Sequence, residues 1–225
     1  MQKPTLDPRL LTAADFFPYC LCGADVGADH GHLSCYLLST GKCKTMQVTD
    51  ISASSLQKAE VLLKRHGFSD RAVFSVGDGL KALKKPADAI AVCGMGGHTL
   101  AGILEDGVDC LHGAQLILSP QTEIPLVRDT IYQKLGYHLE KEQVVRAANR
   151  YYVMMLAVLG ERELTGKERY LGPCLMTLAD DGYLRYLNWR FAVVSREQAP
   201  ESEMHRTWLK EEIERVQNAI DGQSR

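Results

Sequence analysis

Three features that often reveal the class of a protein are missing from this 225-residue sequence. No apolar run approaches the roughly 18 uninterrupted residues that a transmembrane helix needs, and the opening segment lacks the apolar core of a signal peptide. An excess of one charge is missing too, because 26 Lys and Arg stand against 28 Asp and Glu. We therefore expect a cytoplasmic protein without membrane association, in which nucleic-acid binding would need a local basic patch.

Paired cysteine spacing is also absent. The seven cysteines are odd in number and none belongs to a C-x-x-C motif, which argues against a disulfide framework and against a zinc knuckle. The content of 45% hydrophobic and 24% charged residues is that of an ordinary globular chain, which excludes collagen-like, mucin-like and disordered classes. We expect reduced, mostly buried thiols.

Short apolar runs alternate with amphipathic stretches over residues 20–160. Five continuous apolar runs predict parallel strands buried on both faces, at residues 20–26, 45–48, 72–76, 87–93 and 114–118. Amphipathic stretches predict helices at residues 33–38, 52–66, 99–104 and 124–135. Two more strands, with no helix between them, are predicted at 137–145 and 151–159. The fold class is therefore α/β, with the layout of a class I (Rossmann-like) methyltransferase: a mostly parallel seven-stranded sheet with an antiparallel terminal hairpin.

The pattern changes after Gly160. Narrow apolar stripes typical of helix-on-helix packing run through residues 171–178, 184–194 and 209–220. Pro200 separates the last two stripes. We predict a sheet domain at residues 1–160 and a small α-helical, coiled-coil-like C-terminal domain at residues 161–225.

Acidic residues and glycines follow four of the predicted strands, within residues 24–32, 50–51, 78–80 and 94–97. The carboxyl ends of parallel strands meet at one edge, where open α/β sheets bind ligands, so these segments are predicted to line one crevice. Asp50 lies about 20 residues beyond the glycine turn, the offset at which a carboxylate binds a ribose diol. Asp78 can accept a hydrogen bond from an adenine amino group.

The predicted crevice favours a cationic ligand without phosphates. Its first turn lacks the G-x-G-x-x-G motif that holds a pyrophosphate, while Gly27 and Gly31 leave room for close approach to the backbone. Four carboxylates, those of Asp25, Asp29, Asp50 and Asp78, favour positive charge. S-adenosylmethionine has a ribose, an adenine, a sulfonium and an ammonium, and it meets all of these requirements.

The ordered motifs resemble those of one family. Residues 24–33 (ADVGADHGHL), 77–80 (GDGL) and 94–97 (GMGG) resemble the bacterial tRNA (adenine-N1)-methyltransferases that modify adenine 22, in the D-loop region of tRNA. Residues 116–121 resemble the family's segment after strand five, and residues 170–173 resemble the opening of its C-terminal helical domain. The resemblance implies a class I fold, S-adenosylmethionine as methyl donor, tRNA as substrate and a C-terminal domain that helps to dock tRNA.

The resemblance also implies residue roles. Around the cofactor it places Asp25, Gly27, Asp29, His30, Leu33, Asp50, Ile51, Asp78, Gly79, Leu80, Gly94 and Met95. Within that set, Gly27, Asp29 and His30 would lie at the methionine end, Asp50 and Ile51 at the ribose, and residues 78–80 at the adenine. The catalytic residues implied, beside the target base, are Asp29, Gly94, Met95 and Gly96. His32 and residues 119–121 differ from the residues usual in the family.

Two other functions remain open at the sequence level. His30 and His32, with Asp25 and Asp29, could serve a metal-dependent hydrolase, although the remaining histidines show no matching ligand spacing and no metal ligand is assigned. A non-catalytic module that binds the cofactor or RNA is the second alternative. No protein partner is evident, and the candidates for phosphate contact are Arg185, Arg190, Arg196 and Arg206.

Overall fold

The computed structural model describes residues 4–223, which form one seven-stranded sheet with helices on both faces. The strands are β1 Cys20–Val26, β2 Cys43–Asp50, β3 Ala72–Val76, β4 Ala89–Cys93, β5 Gln115–Ser119, β6 Tyr137–Ala147 and β7 Arg150–Leu159. The helices are α1 Pro8–Phe16, α2 His32–Ser39, α3 Ala53–Arg65, α4 Gly97–Asp106, α5 Ile124–Asp129, α6 Gly166–Leu171, α7 Asp181–Val194 and α8 Ser202–Gln223.

The strand order is β3-β2-β1-β4-β5-β7-β6. Strands β1 to β5 pair in parallel, and β7 pairs antiparallel with both β5 and β6. The predicted α/β sheet with its terminal antiparallel hairpin is confirmed. The order reverses between β1 and β4, so a crevice opens beyond the carboxyl ends of these two strands.

Helix α1 has no counterpart among the predicted elements, although its start signal is present in the sequence. The Asp7 carboxylate accepts hydrogen bonds from the backbone N–H groups of Arg9 (2.8 Å) and Leu10 (3.1 Å), and Pro8 occupies the first turn. The helix packs against α2 and against β5, β6 and β7. It therefore carries residues from before the first strand to the carboxyl side of the sheet.

A continuous helix through residues 171–178 is a wrong prediction. Helix α6 ends at Leu171, because Gly172 has φ +111° and Pro173 follows it, and only a single 3-10 turn forms at Leu175–Thr177. Leu171 and Leu175 nevertheless reach the core, with exposures of 4% and 0%. The apolar spacing at residues 171–178 therefore predicts burial correctly, but it does not indicate a helix.

Helices α7 and α8 form the predicted helical hairpin. They pack against each other, and the hydroxyl of Tyr183 near the start of α7 lies 3.4 Å from a carboxylate oxygen of Glu212 at the middle of α8. Their buried side chains join the same apolar cluster as Val153 and Met155 of β7. The helices after Gly160 thus share a core with one face of the sheet.

A buried ion pair joins the sheet to these helices. Arg128 of α5 donates to Glu142 of β6 at 2.7 and 3.0 Å, and the two side chains are 1% and 0% exposed. Arg128 also donates to the backbone carbonyls of Arg169 and Tyr170, while Glu142 accepts from the backbone N–H of Cys174. One pair therefore fixes both sides of the break at Gly172.

None of the helices within residues 4–223 combines the length and the hydropathy that spanning a lipid bilayer requires.

Candidate active site

A cavity of about 610 Å³ opens at the carboxyl ends of β1, β2 and β4. It is lined by eleven of the thirteen site residues that the sequence predicts, namely Asp25, Gly27, Asp29, His30, Leu33, Asp50, Ile51, Asp78, Gly79, Gly94 and Met95. The topology thus brings the four acidic and glycine-rich segments to one place. Gly96 and Leu80 do not line this cavity, and Leu80 borders a smaller neighbouring hollow of about 220 Å³.

Asp25 lies at the base of the cavity, at the end of β1. It is 5% exposed, and the Ser34 hydroxyl donates a hydrogen bond of 2.7 Å to its carboxylate. Burial raises the pKa of Asp25 to about 6, the Ser34 bonds oppose this shift, and the charge of Asp50 adds to it. A carboxyl group with this pKa is ready to ionise beside a bound cation.

Asp50, at the end of β2, connects two loops of the cavity rim. One carboxylate oxygen accepts a hydrogen bond of 2.9 Å from the backbone N–H of Asp29, and the other accepts one of 2.8 Å from the N–H of Ser52. A carboxylate offers about four lone-pair sites, so each oxygen retains capacity for another donor. The geometry suits a pair of neighbouring hydroxyl groups.

Two glycines permit the close approach of the loops around the cavity. Gly27 has φ +71°, and a Cβ atom there would collide with the Met95 methyl group, which comes from the turn after β4. A Cβ atom on Gly97 would collide with the backbone carbonyl of Thr122, in the loop after β5. A side chain at position 97 would push the β4–α4 turn away from the loop after β5. At position 27 the flexible Met95 side chain can move aside, and it is the positive φ that disfavours any residue other than glycine.

The two histidines of the H-x-H motif do not form a metal centre. The His30 Nε2 lies 3.2 Å from the Lys58 ammonium nitrogen and 3.7 Å from a carboxylate oxygen of Asp29, and the rings of His30 and His32 are 6.0 Å apart. Within the described part of the chain, no group of three or more His, Cys, Asp or Glu residues is arranged to hold a metal ion. A neighbouring ammonium group also disfavours a divalent cation, so the hydrolase alternative gains no support.

The cavity also contains residues that were not among the predicted site residues, notably Arg9, Leu10, Thr49, Ser119, Gln121 and Met154. Arg9 and Leu10 come from α1, and their only sequence signal is the Asp7-Pro8 helix start. The guanidinium of Arg9 lies 3.0 Å from Asp7 and 4.8 Å from the centre of the Tyr152 ring. The hydroxyl of Thr49, a further residue of the cavity wall, is buried without a hydrogen-bond partner.

Comparison with known proteins agrees with this geometry. A family model described as a methyltransferase domain matches residues 6–155. The curated tRNA (adenine(22)-N(1))-methyltransferase of Bacillus subtilis (strain 168) is 33% identical over 165 residues, which are 72% of this chain and 69% of that protein.

Solved structures resemble nearly the whole chain. The tRNA methyltransferase TrmK of B. subtilis has a TM-score of 0.78 at 26% identity. The superposition covers 97% of this chain and 100% of the TrmK chain. A Streptococcus pneumoniae protein described as a putative tRNA methyltransferase has a TM-score of 0.82 at 23% identity, covering 95% and 99%. The fold, the domain match and the curated relative lead to one conclusion: this chain belongs to the tRNA (adenine(22)-N(1))-methyltransferase family, with the Rossmann-like class I fold.

Proposed function

We propose that this protein transfers a methyl group from S-adenosylmethionine to N1 of an adenine in tRNA, namely adenine 22. The observation that carries the proposal is the acid-lined cleft at the carboxyl edge of the sheet, which lacks a pyrophosphate-binding glycine motif, in a chain of this family. The curated relative acts on adenine 22, which supports the same position here.

The residues present fit S-adenosylmethionine. Asp25 and Asp29 would face its cationic methionine end near Gly27 and His30, and Asp50 beside Ile51 would accept hydrogen bonds from the ribose hydroxyls. Asp78 and Gly79 would flank the adenine. Leu80, which is 1% exposed and lies outside the cavity wall, would support them from the core.

The reaction needs little acid–base catalysis from the protein. The cofactor supplies an electrophilic methyl group on a sulfonium. Adenine N1 has an in-plane lone pair, so no proton must leave before attack and no strong general base is needed. The protein's main contribution is alignment of the two reactants, which can lower the activation barrier by up to about 7–11 kcal/mol. The Asp29 carboxylate would stabilise the positive charge that develops on the base.

The target adenine must leave its stacked position to reach the methyl group. Gly94, Met95 and Gly96 would form the floor below it. Gly94 has φ +83° and is exposed, so its backbone is open to a flat ring. The C-terminal helical domain at residues 161–225 would support the sheet domain and help to dock tRNA. The reaction would take place in the cytoplasm, where tRNA is abundant.

The test is transfer of a labelled methyl group to unmodified tRNA, followed by mass spectrometry of the nucleosides and mapping of the modified position. We expect N1-methyladenine at position 22 and no labelling of a matched tRNA that carries guanine there. Label at another adenine would correct the position, and absence of methyladenine from every tRNA tested would overturn the function. Cofactor binding without turnover would favour the non-catalytic alternative.

A further inference from the structure

The acid-lined cleft cannot itself attract RNA. Its four carboxylates repel phosphates, and the formal charge of the whole chain is -2. If the protein acts on tRNA as proposed, cations outside the cleft must hold the polynucleotide while one base enters. Such cations should lie close to the cleft, on the same edge of the sheet, and should not be engaged in ion pairs.

The tip of the β6–β7 hairpin lies on that edge. Because β7 runs antiparallel to β5 and Leu118 pairs with Met155, residues before Met155 extend beyond the carboxyl end of β5. Met154 lines the cleft, and Tyr152 lies 4.8 Å from the guanidinium of Arg9, which also lines it. At about 3.3 Å per residue, Tyr151 lies roughly 13 Å along the strand past Met155. The hairpin thus continues from the cleft outward into solvent.

The tip carries positive charge without acidic neighbours in sequence. Residues 143–153 contain Arg146 and Arg150 and no Asp or Glu. Both arginines are exposed, and neither forms a salt bridge within residues 4–223. The strands are joined by a two-residue turn in which Ala148 and Asn149 have φ of +47° and +61°. A tight turn keeps these guanidinium groups at the protruding end.

Aromatic rings stand beside one of these cations, Arg146. Arg146 lies 5.9 Å from the centre of the Tyr151 ring, and Tyr151 lies 5.3 Å from Trp189 of α7. Trp189 is 44% exposed, although it also packs against Tyr186. Arg185, one helical turn before Trp189, is exposed and likewise forms no salt bridge among the described residues. An exposed aromatic ring next to arginines, here Trp189, is the combination that binds single-stranded or looped RNA.

We propose that Arg146, Arg150, Tyr151, Arg185 and Trp189, called here the hairpin-tip surface, bind the RNA strand that flanks the target adenine. The arginines contact phosphates and Trp189 stacks on an unpaired base. The inference rests on the proposed function and adds to it the surface that holds the substrate. Two other candidate arginines are already engaged in the fold: Arg190 packs over the Tyr170 ring, and Arg206 donates to the carbonyls of Val194 and Glu197.

The test compares two charge-matched double variants of the full chain. Arg146→Gln/Arg150→Gln removes two cations from the tip, and Lys44→Gln/Lys134→Gln removes two exposed cations near the opposite, amino edge of the sheet. Affinity for unmodified tRNA is measured over a range of salt concentrations with saturating S-adenosylhomocysteine. We expect at least tenfold weaker binding for the tip variant, with a salt slope reduced by about 1.5, and a change below twofold for the control.

Steady-state kinetics separate substrate binding from damage to the site. For the tip variant, the KM for tRNA should rise while the KM for S-adenosylmethionine and kcat at saturating tRNA stay within about twofold. Trp189→Ala should weaken tRNA binding about tenfold, and Trp189→Phe should restore most of it. Equal tRNA affinity and salt slope for the two double variants would overturn the inference alone. Failure of the unaltered protein to bind or methylate any tRNA would overturn the proposed function as well.

Discussion

Asp50 is the residue on which the rim of the cleft depends most, since its carboxylate accepts hydrogen bonds from two separate loops. We predict that Asp50→Ala weakens binding of S-adenosylhomocysteine by more than tenfold. The substitution removes the acceptor for the ribose and leaves two backbone N–H groups without their partner. Titration calorimetry measures the effect, with Asp109→Ala, an exposed carboxylate outside the cleft, as the matched control. Equal affinities for the two variants would refute the ribose assignment.

Asp25 should make stability depend on pH. Its pKa is about 6 in the folded protein against an ordinary value of 3.8, so the folded state binds the proton more tightly than the unfolded state. The stability that protonation confers is therefore present at pH 4 and is lost as the pH rises to about 6. Asp25→Asn removes this dependence. The free energy of unfolding of the variant, relative to the unaltered protein, should rise by up to about 3 kcal/mol between pH 4 and 7.

Urea denaturation without added cofactor, at intervals of half a pH unit, measures that difference. Ser34 can donate to the asparagine oxygen as it does to the carboxylate, so the hydrogen bond at this position is kept. A difference that stays constant from pH 4 to 7 would show that Asp25 has an ordinary pKa.

At the scale of elements, the Arg128–Glu142 pair connects α5 and β6 to the segment around Gly172. Arg128→Met leaves a buried carboxylate without its cation and should cost about 3–5 kcal/mol of stability. The double variant with Glu142→Leu should lose clearly less than the sum of the two single variants, because the second change removes the unpaired charge. A double-mutant cycle from urea denaturation gives the coupling energy.

An exposed ion pair between α5 and α6 provides the control. Arg169 and Asp129 lie 3.1 Å apart, with side chains 46% and 24% exposed. Solvent screens such a pair, so its coupling energy should stay below about 1 kcal/mol. Additive effects in the Arg128–Glu142 cycle would contradict the role assigned to the buried pair.

Strands that form continuous apolar runs were predictable from the sequence, and elements defined by packing were not. The expected burial of β3 on both faces is wrong, because β3 is the edge strand and its Val73 and Val76 are 45% and 57% exposed. The predicted bounds of β1 and β3 match the observed ones, because a continuous apolar run next to a turn leaves few alternatives. The predicted helix at residues 171–178 failed because Gly172 and Pro173 break a pattern that burial alone maintains. Helix α1 was missed because only its cap, at Asp7 and Pro8, signals it.

The same contrast holds for the cleft. Its acids and glycines were predictable because parallel topology brings every strand's carboxyl end to one edge. The positions of Arg9 and Met154 in the cavity were not predictable. Arg9 belongs to α1, before the five parallel strands, and Met154 belongs to β7, after them, so only the packing of α1 against β7 brings both to the cavity. The roles of the predicted site residues toward cofactor and base stay predictions until a ligand is bound.

For the whole molecule, the apolar core predicts how the chain unfolds. Buried side chains from before and after Gly160 belong to one cluster, and the Arg128–Glu142 pair lies at the junction. We therefore expect a single calorimetric transition for the full chain, with a calorimetric enthalpy equal to the van't Hoff enthalpy. Two separate transitions would instead support independent folding of the proposed domains at 1–160 and 161–225.

The hairpin β6–β7 turns at the same edge where the parallel strands end. Evolution can therefore alter what this protein recognises by changing a few exposed loops, while selection for foldability acts mainly on the buried sheet and the helices packed on it. Substitutions in the β6–β7 turn cost little in core packing, yet they alter the first surface that an approaching nucleic acid meets. Such an arrangement allows one scaffold to acquire new specificities without first becoming unstable.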